Sequence, residues 1–375
     1  MGSDARVLVL NGGSSTVKVA LFDATKGTTA WRRATIEVTD DAGPGATLDW
    51  VRDQVGWENL DAVGHRIVHG GDAHTAPCRV TEAVLGGVGR ERPQIAEHLP
   101  REIALIEAVA ARRPELPQVA CFDTAFHQHL PAVARMLPLP RRLYDRGVRR
   151  YGFHGLSYAY LLTEIARRSG DAAARGRLVL AHLGSGASLA AVKDGRSIDT
   201  TMGFTPTAGI PMGTRSGDVD PGLVAYLAAN EGVTAERFAR MATDESGLLG
   251  VSGISGDVRE LTRRSATEPH AAEALALFCY EVKKRIGGFA AALGGLDRLV
   301  FTGGIGENAA DVRARICAGL DFLGVVLDDA RNAAHDRVIS AATAGVVVEV
   351  VPTDEARTVV DGVLGVLAAT HDNGR

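Results

Sequence analysis

Two stretches of this 375-residue chain follow one plan, and that plan restricts the fold more than any other feature. Val7–Ala20 reads Val-Leu-Val-Leu-Asn-Gly-Gly-Ser-Ser-Thr-Val-Lys-Val-Ala: an apolar run, a turn of small residues, then a second apolar run. Leu178–Val192, Leu-Val-Leu-Ala-His-Leu-Gly-Ser-Gly-Ala-Ser-Leu-Ala-Ala-Val, repeats it with low identity. Each predicts a β-hairpin whose tip bares backbone N–H groups to an approaching phosphate. Two such hairpins point to two related domains serving one nucleotide; two unrelated glycine-rich turns would read alike.

The rest of the chain agrees with a two-domain α/β protein. Strand-like runs at Arg6–Leu10, Val17–Phe22, Ala62–Val68, Val119–Phe122, Leu178–Ala181, Leu299–Thr302 and Val346–Val351 are interspersed with helical spacing. The helical segments include Ile103–Arg113, Tyr158–Arg168, Pro221–Ala229, Ala271–Leu293 and Asp354–Ala369. Gly170–Gly176 reads as a surface connection. Hydrophobic residues make up 46% and charged residues 23%, the composition of a soluble globular chain rather than a disordered one. The 44 glycines show no Gly-X-Y period, which excludes collagen. A formal net charge of −4 argues against nucleic-acid and membrane partners. No apolar run approaches the ~18 residues of a membrane span, and Val7–Leu10 is too short for a secretory core. Cys78, Cys121, Cys279 and Cys317 form no C-x-x-C pair and read as reduced thiols of a cytoplasmic protein.

Several segments carry chemistry. Asn11–Lys18 combines small residues, hydroxyls and a lysine, but it runs into a strand, unlike a Walker loop; a plain hairpin turn fits equally. Phe301–Asn308 places glycines between a strand and a helix at Ala309–Leu320, a ready nucleotide site or a close packing turn. In Gly64–Gly71, His65 and His69 stand four apart, yet strand pattern argues against a metal pair and for buried or loop-edge histidines. Arg66 offers a planar fork that matches carboxylate or phosphate. Asp123 follows a strand, His154 sits between glycines ahead of a helix, and Arg215 lies in a dense polar loop. Each has a bland alternative as cap, turn residue or salt-bridge partner. Together they are the parts of phosphoryl transfer.

These segments, in order from Val7 to Val360, resemble the acetate kinase family, also called acetate/propionate kinases. The match also takes in His182–Ser188, Asp199–Pro206, Gly213–Pro221, Ser246–Ser255, Gly303–Asn308 and Pro352–Glu355. The resemblance implies the two-domain sugar kinase, Hsp70 and actin fold, with a duplicated ribonuclease H-like core and a nucleotide cleft between domains. It implies an N-terminal domain of residues 1–123 plus 354–375 and a second of 124–353. It further implies a homodimer with ATP as co-substrate and Mg²⁺ (or Mn²⁺) as cofactor. ATP, ADP and a short-chain carboxylate are the implied partners. By the same resemblance, Arg66 and Arg215 hold the acid and the transferring phosphoryl, and His154 stabilises phosphoryl oxygens. Val68, His98, Phe153 and Pro206 match substrate contacts. Lys18, His182, Leu183, Gly184, Ser185, Gly186, Gly303, Gly304, Ile305, Gly306 and Asn308 match nucleotide contacts. Asn11 and Glu355 match the metal site, and with Asp123 they orient the phosphate. Both arginines are expected to face a cleft rather than the core.

The chemistry requires no strong base. A carboxylate with a pKa near ~4 is already ionised at neutral pH, so Asp123 need not take a proton. The expected reaction is direct in-line transfer, without a covalent enzyme intermediate. The chain departs from the family at Glu97-His98-Leu99-Pro100, Ser185, Pro206-Thr-Ala-Gly209 and Asp354-Glu355-Ala356. Glu97 stands where the family usually has a leucine that lines the methyl pocket, which leaves propionate or a more polar short acid as the alternative to acetate. A partner-binding ATPase scaffold is the rival of another class, and the two arginines argue against it.

Overall fold

The computed structural model describes residues 5–13, 16–23, 30–37, 44–90 and 99–372. The chain divides into two units, Met1–Gln128 with Gly155–Tyr160 and Asp354–Arg375, and His129–His154 with Leu161–Thr353.

Unit 1 is built on a mixed sheet. Its strands are β1 (Arg6–Gly12), β2 (Thr16–Asp23), β3 (Ala30–Glu37), β4 (Ala62–Ile67), β5 (Cys78–Arg79) and β6 (Gln118–Phe122), in the order β3-β2-β1-β4-β6-β5. β1 pairs antiparallel with β2 and parallel with β4, and β4 is parallel to β6. The alternation of β1 explains its unbroken apolar sequence. Val7 and Val9 pack with Val359, Val360 and Val363 of the helix Glu355–Asp372. Leu8 and Leu10 face the other way, onto Leu105 and Val109 of the helix Leu99–Arg112. A strand covered on both faces must be apolar at every position.

Unit 2 repeats the plan. β7 (Leu178–Leu183) and β8 (Ala187–Lys193) form an antiparallel hairpin, and β9 (Arg196–Thr200) pairs antiparallel with β8. β10 (Arg298–Thr302) and β11 (Val347–Val350) extend the sheet in parallel from β7. The order β11-β10-β7-β8-β9 matches β6-β4-β1-β2-β3 strand for strand, directions included. The weak sequence repeat therefore marks a duplicated fold, the doubled ribonuclease H-like plan. Helix Pro269–Leu293 lies across β7, β8 and β9 and buries Ala271, Leu275, Phe278, Val282, Ile286 and Phe289 at helical spacing.

The expected surface connection Gly170–Gly176 is mostly exposed, and within it Asp171–Arg175 is a short helix that buries Ala174. One local reading needs correction. Gly303–Asn308, expected as a loop ahead of a helix, is itself helical, and the next helix is Ala310–Cys317. All four cysteines are free thiols, and Cys78 is only half-buried. Among the described residues no helix is long and apolar enough to cross a membrane.

Candidate active site

Unit 1 gathers charge at the carboxyl ends of its parallel strands. Arg66 lies near the end of β4, opposite Cys121 of β6, and Asp123 is the first residue beyond β6. Strand register thus sets the two side by side. Arg66 donates to Asp123 Oδ2 from Nη2 at 2.5 Å and from Nε at 3.1 Å. Its Nη1 donates to Glu102 Oε1 at 3.2 Å. The Arg66 side chain is 15% exposed, against 2% for Asp123 and 1% for Glu102. The other oxygen of Glu102 accepts the Val68 N–H at 3.0 Å.

Burial pulls the Arg66 guanidinium pKa down, but Asp123, Glu102 and Glu355 outweigh it and the net shift is upward. Burial pushes the Glu102 carboxyl up to about 7, opposed chiefly by Arg66. Nearby, Asn11 Nδ2 donates to Glu355 Oε2 at 3.1 Å. Lys18 stands directly across the hairpin from Asn11 and is exposed.

Sequence reasoning missed Glu102, though its signal was legible. Leu99, Glu102, Leu105, Ile106 and Val109 form the buried stripe of one helix, so a carboxylate occupies an apolar face. Such a group persists only when paired. The histidines of Gly64–Gly71 serve the fold. His65 Nε2 lies 2.7 Å from Gln118 Oε1, and burial pulls the ring down to about 4. His69 Nδ1 accepts the Gly71 N–H at 2.8 Å. His98, Glu97, Ser14 and Ser15 lie outside the described residues.

Unit 2 brings together His154, His182, Gly186, Arg215 and Pro206. His154 caps the helix Gly155–Ser169 in a left-handed conformation, φ 58°, uncommon for a residue with a side chain. Its ring stacks on His182 with centroids 4.2 Å apart, and its Nδ1 lies 2.9 Å from Ser188 Oγ. Gly186, at the hairpin tip, faces both groups. A Cβ there would lie 3.5 Å from Arg215 Nη1 and 3.6 Å from His154 Nε2. Arg215 Nη1 donates to the Pro206 carbonyl at 3.3 Å, and the Gly213 N–H donates to the Ser185 carbonyl at 3.0 Å.

The second glycine-rich element packs on the same hairpin. Gly303 has φ +76°, and a Cβ there would stand 2.7 Å from the Leu183 carbonyl oxygen. Glu307 Oε1 accepts the N–H groups of Gly303 and Thr353 at 2.9 and 3.2 Å, bracing the turn. Asn308 Nδ2 donates to the Gly304 carbonyl at 2.9 Å. Of the expected apolar contacts, Val68 is buried in unit 1 and Phe153 is buried in unit 2, where Pro206 also lies.

The acetokinase family model matches residues 47–361 of this chain. The chain belongs to the acetokinase family. Acetate kinase of Rhodopseudomonas palustris is 44% identical over 380 residues, covering 93% of this chain and 95% of that protein. Propionate kinase of Citrobacter rodentium is 45% identical over 298 residues, 79% of this chain and 74% of its own length. The solved acetate kinase of Porphyromonas gingivalis aligns with TM-score 0.87 at 35% identity, over 97% of this chain and 100% of that one. This acetokinase is accordingly an enzyme of the ATP-dependent carboxylate kinase class.

Proposed function

We propose that this acetokinase reversibly transfers the γ-phosphoryl group of ATP to acetate, giving acetyl phosphate and ADP. The observation that carries this reading is Arg215 and His154 converging on the side-chain-free tip at Gly186. There, guanidinium and imidazole donors meet a surface that a phosphoryl group can approach closely. Arg66 holds the acid. A carboxylate oxygen bonds to the γ-phosphorus as the bond to the departing ADP oxygen breaks. The acid arrives ionised, so no enzyme base is consumed, and Asp123 acts by orienting Arg66.

The Gly184–Gly186 tip, together with Gly303–Asn308, holds the nucleotide, and Val68, beside Arg66, meets the short apolar tail. Asn11 and Glu355 would hold Mg²⁺: the Asn11 amide lies beside the Glu355 carboxylate, its Nδ2 donating to Oε2 at 3.1 Å, and the pair offers an amide oxygen and a carboxylate as ligands. Mg²⁺ typically takes one or two carboxylates and completes its shell with substrate phosphates and water. When bound, the ion would neutralise phosphate charge. The enzyme acts in the cytoplasm as a homodimer, on small molecules rather than on nucleic acid or membranes.

Trapping with hydroxylamine tests the proposal. ATP, Mg²⁺ and acetate should yield a hydroxamate. ATP hydrolysis without hydroxamate, unchanged by any carboxylate, would leave a scaffold ATPase instead. Propionate is the second reading, favoured by the likeness to the Citrobacter propionate kinase. Comparing kcat/KM for acetate, propionate, butyrate and glycolate decides between them.

A further inference from the structure

Arg66 presents a problem for an enzyme that must hold an anionic acid. Three of its N–H groups already donate to two buried carboxylates, Asp123 and Glu102. Above about pH 7, where Glu102 is ionised, one guanidinium faces two carboxylates, the cluster carries a net negative charge, and Glu355 adds to the negative field around it. An incoming carboxylate is repelled unless one of these groups yields.

The two partners are not equivalent. Asp123 takes two N–H groups on one oxygen, the nearer at 2.5 Å, and follows β6 directly. Glu102 takes one N–H at the longer distance of 3.2 Å and is tethered through its second oxygen to the Val68 N–H. Val68 itself lies two residues beyond Arg66, just past the end of β4. Glu102 therefore grips both the arginine and the backbone of a residue assigned to the acid's apolar tail. The groups that face Glu102 are Arg66 from β4 and Asp123 from the end of β6.

We propose that Glu102 is a positioning residue that sets the affinity for the acid: its carboxylate fixes Arg66 and competes with the substrate carboxylate for that guanidinium. The inference rests on Arg66 being the acid's partner, as in the function proposed above. Glu102 acts as a resident anion that the substrate must displace from Nη1. Its tether to Val68 keeps it from leaving with the side chain, so the competition persists through every turnover. Weakly held acids are thereby disfavoured, and Arg66 stays aimed when no acid is bound.

Glu102→Gln and Glu102→Asp separate charge from shape. Gln keeps the length and an acceptor but removes the charge; Asp keeps the charge. At pH 8, Glu102→Gln should lower the carboxylate KM about threefold to tenfold while leaving the ATP KM unchanged. Glu102→Asp keeps the charge but draws it back from Nη1, so its carboxylate KM should fall less than in Glu102→Gln, with the ATP KM unchanged. Equal changes in both KM values, a carboxylate KM unchanged in Glu102→Gln, or like shifts in the two variants would overturn the proposal. Titration calorimetry of acetate into each protein reads the same competition without turnover. If the parent protein forms no hydroxamate with any acid, the phosphoryl-transfer reading fails on its own. The role of Glu102 is then judged from the calorimetry, where equal affinities in parent and Glu102→Gln overturn it.

Discussion

Arg66 and Arg215 look alike in the sequence and differ in the fold. Arg66 sits between two nearly inaccessible carboxylates, whereas Arg215 bonds a backbone carbonyl beside the hairpin tip. Arg66→Ala would strand both carboxylates, and we expect a loss of about 3–5 kcal/mol in urea unfolding. Combining it with Glu102→Gln should recover part of that loss, because the two changes are coupled. For Arg215→Ala we expect the unfolding midpoint to stay near that of the parent. Its kcat in the hydroxamate assay should fall about a hundredfold or more.

His65 gives a pH signature. Unfolded, its ring takes a proton near 6.5; folded, burial delays this to about 4. Between those values the unfolded state binds more protons, so stability falls as pH drops from 6.5 toward 4, by on the order of 3 kcal/mol. Glu102 works in the opposite sense, because its folded carboxyl keeps a proton up to about 7 against an ordinary 4.5. The difference between the parent and His65→Gln across this range isolates the histidine. Parallel stability curves would contradict the assignment.

The elements best marked in the sequence are those whose environment is the same at every position. β1, β7 and β10 are enclosed on both faces and read as apolar runs. Helix Pro269–Leu293 carries its buried stripe along its whole length. β3 was not expected, because Ala-Trp-Arg-Arg-Ala-Thr-Ile-Glu is an edge strand with mostly exposed side chains, and its apolar alternation is confined to Ala34–Glu37. Charged edges discourage pairing with other chains, which also hides them from pattern reading. At the strand-to-helix turn, Gly303 is required twice over, by its positive φ and by the Leu183 carbonyl against it. We expect Gly303→Ala to cost at least about 1 kcal/mol and to raise the ATP KM more than the acetate KM. Unchanged ATP kinetics in a folded variant would remove the loop from the nucleotide site.

Each unit has its own sheet and repeats one strand order, so a nucleotide held by unit 2 should leave a local trace. Hydrogen exchange with Mg²⁺ and ADP should slow at Leu183–Ser188 and Gly303–Asn308 more than in helix Pro269–Leu293. Protection elsewhere, with none at these loops, would contradict the nucleotide assignment. The duplication, the α/β class and the glycine-turned hairpins were legible because short-range patterning dictates them: strand runs, glycine turns and helical periods are local properties. The reading also singled out Arg66, Asp123, His154 and Arg215 as chemically apt residue types. It did not show that Arg66 would be clasped by two carboxylates, that Glu102 would be one of them, or that His154 would lie against His182. Those facts depend on parallel strand register, which sets β4 beside β6, and on the turns that return distant segments to one hairpin. Sequence specifies which groups are available; packing alone decides which charges must share a space that water cannot reach.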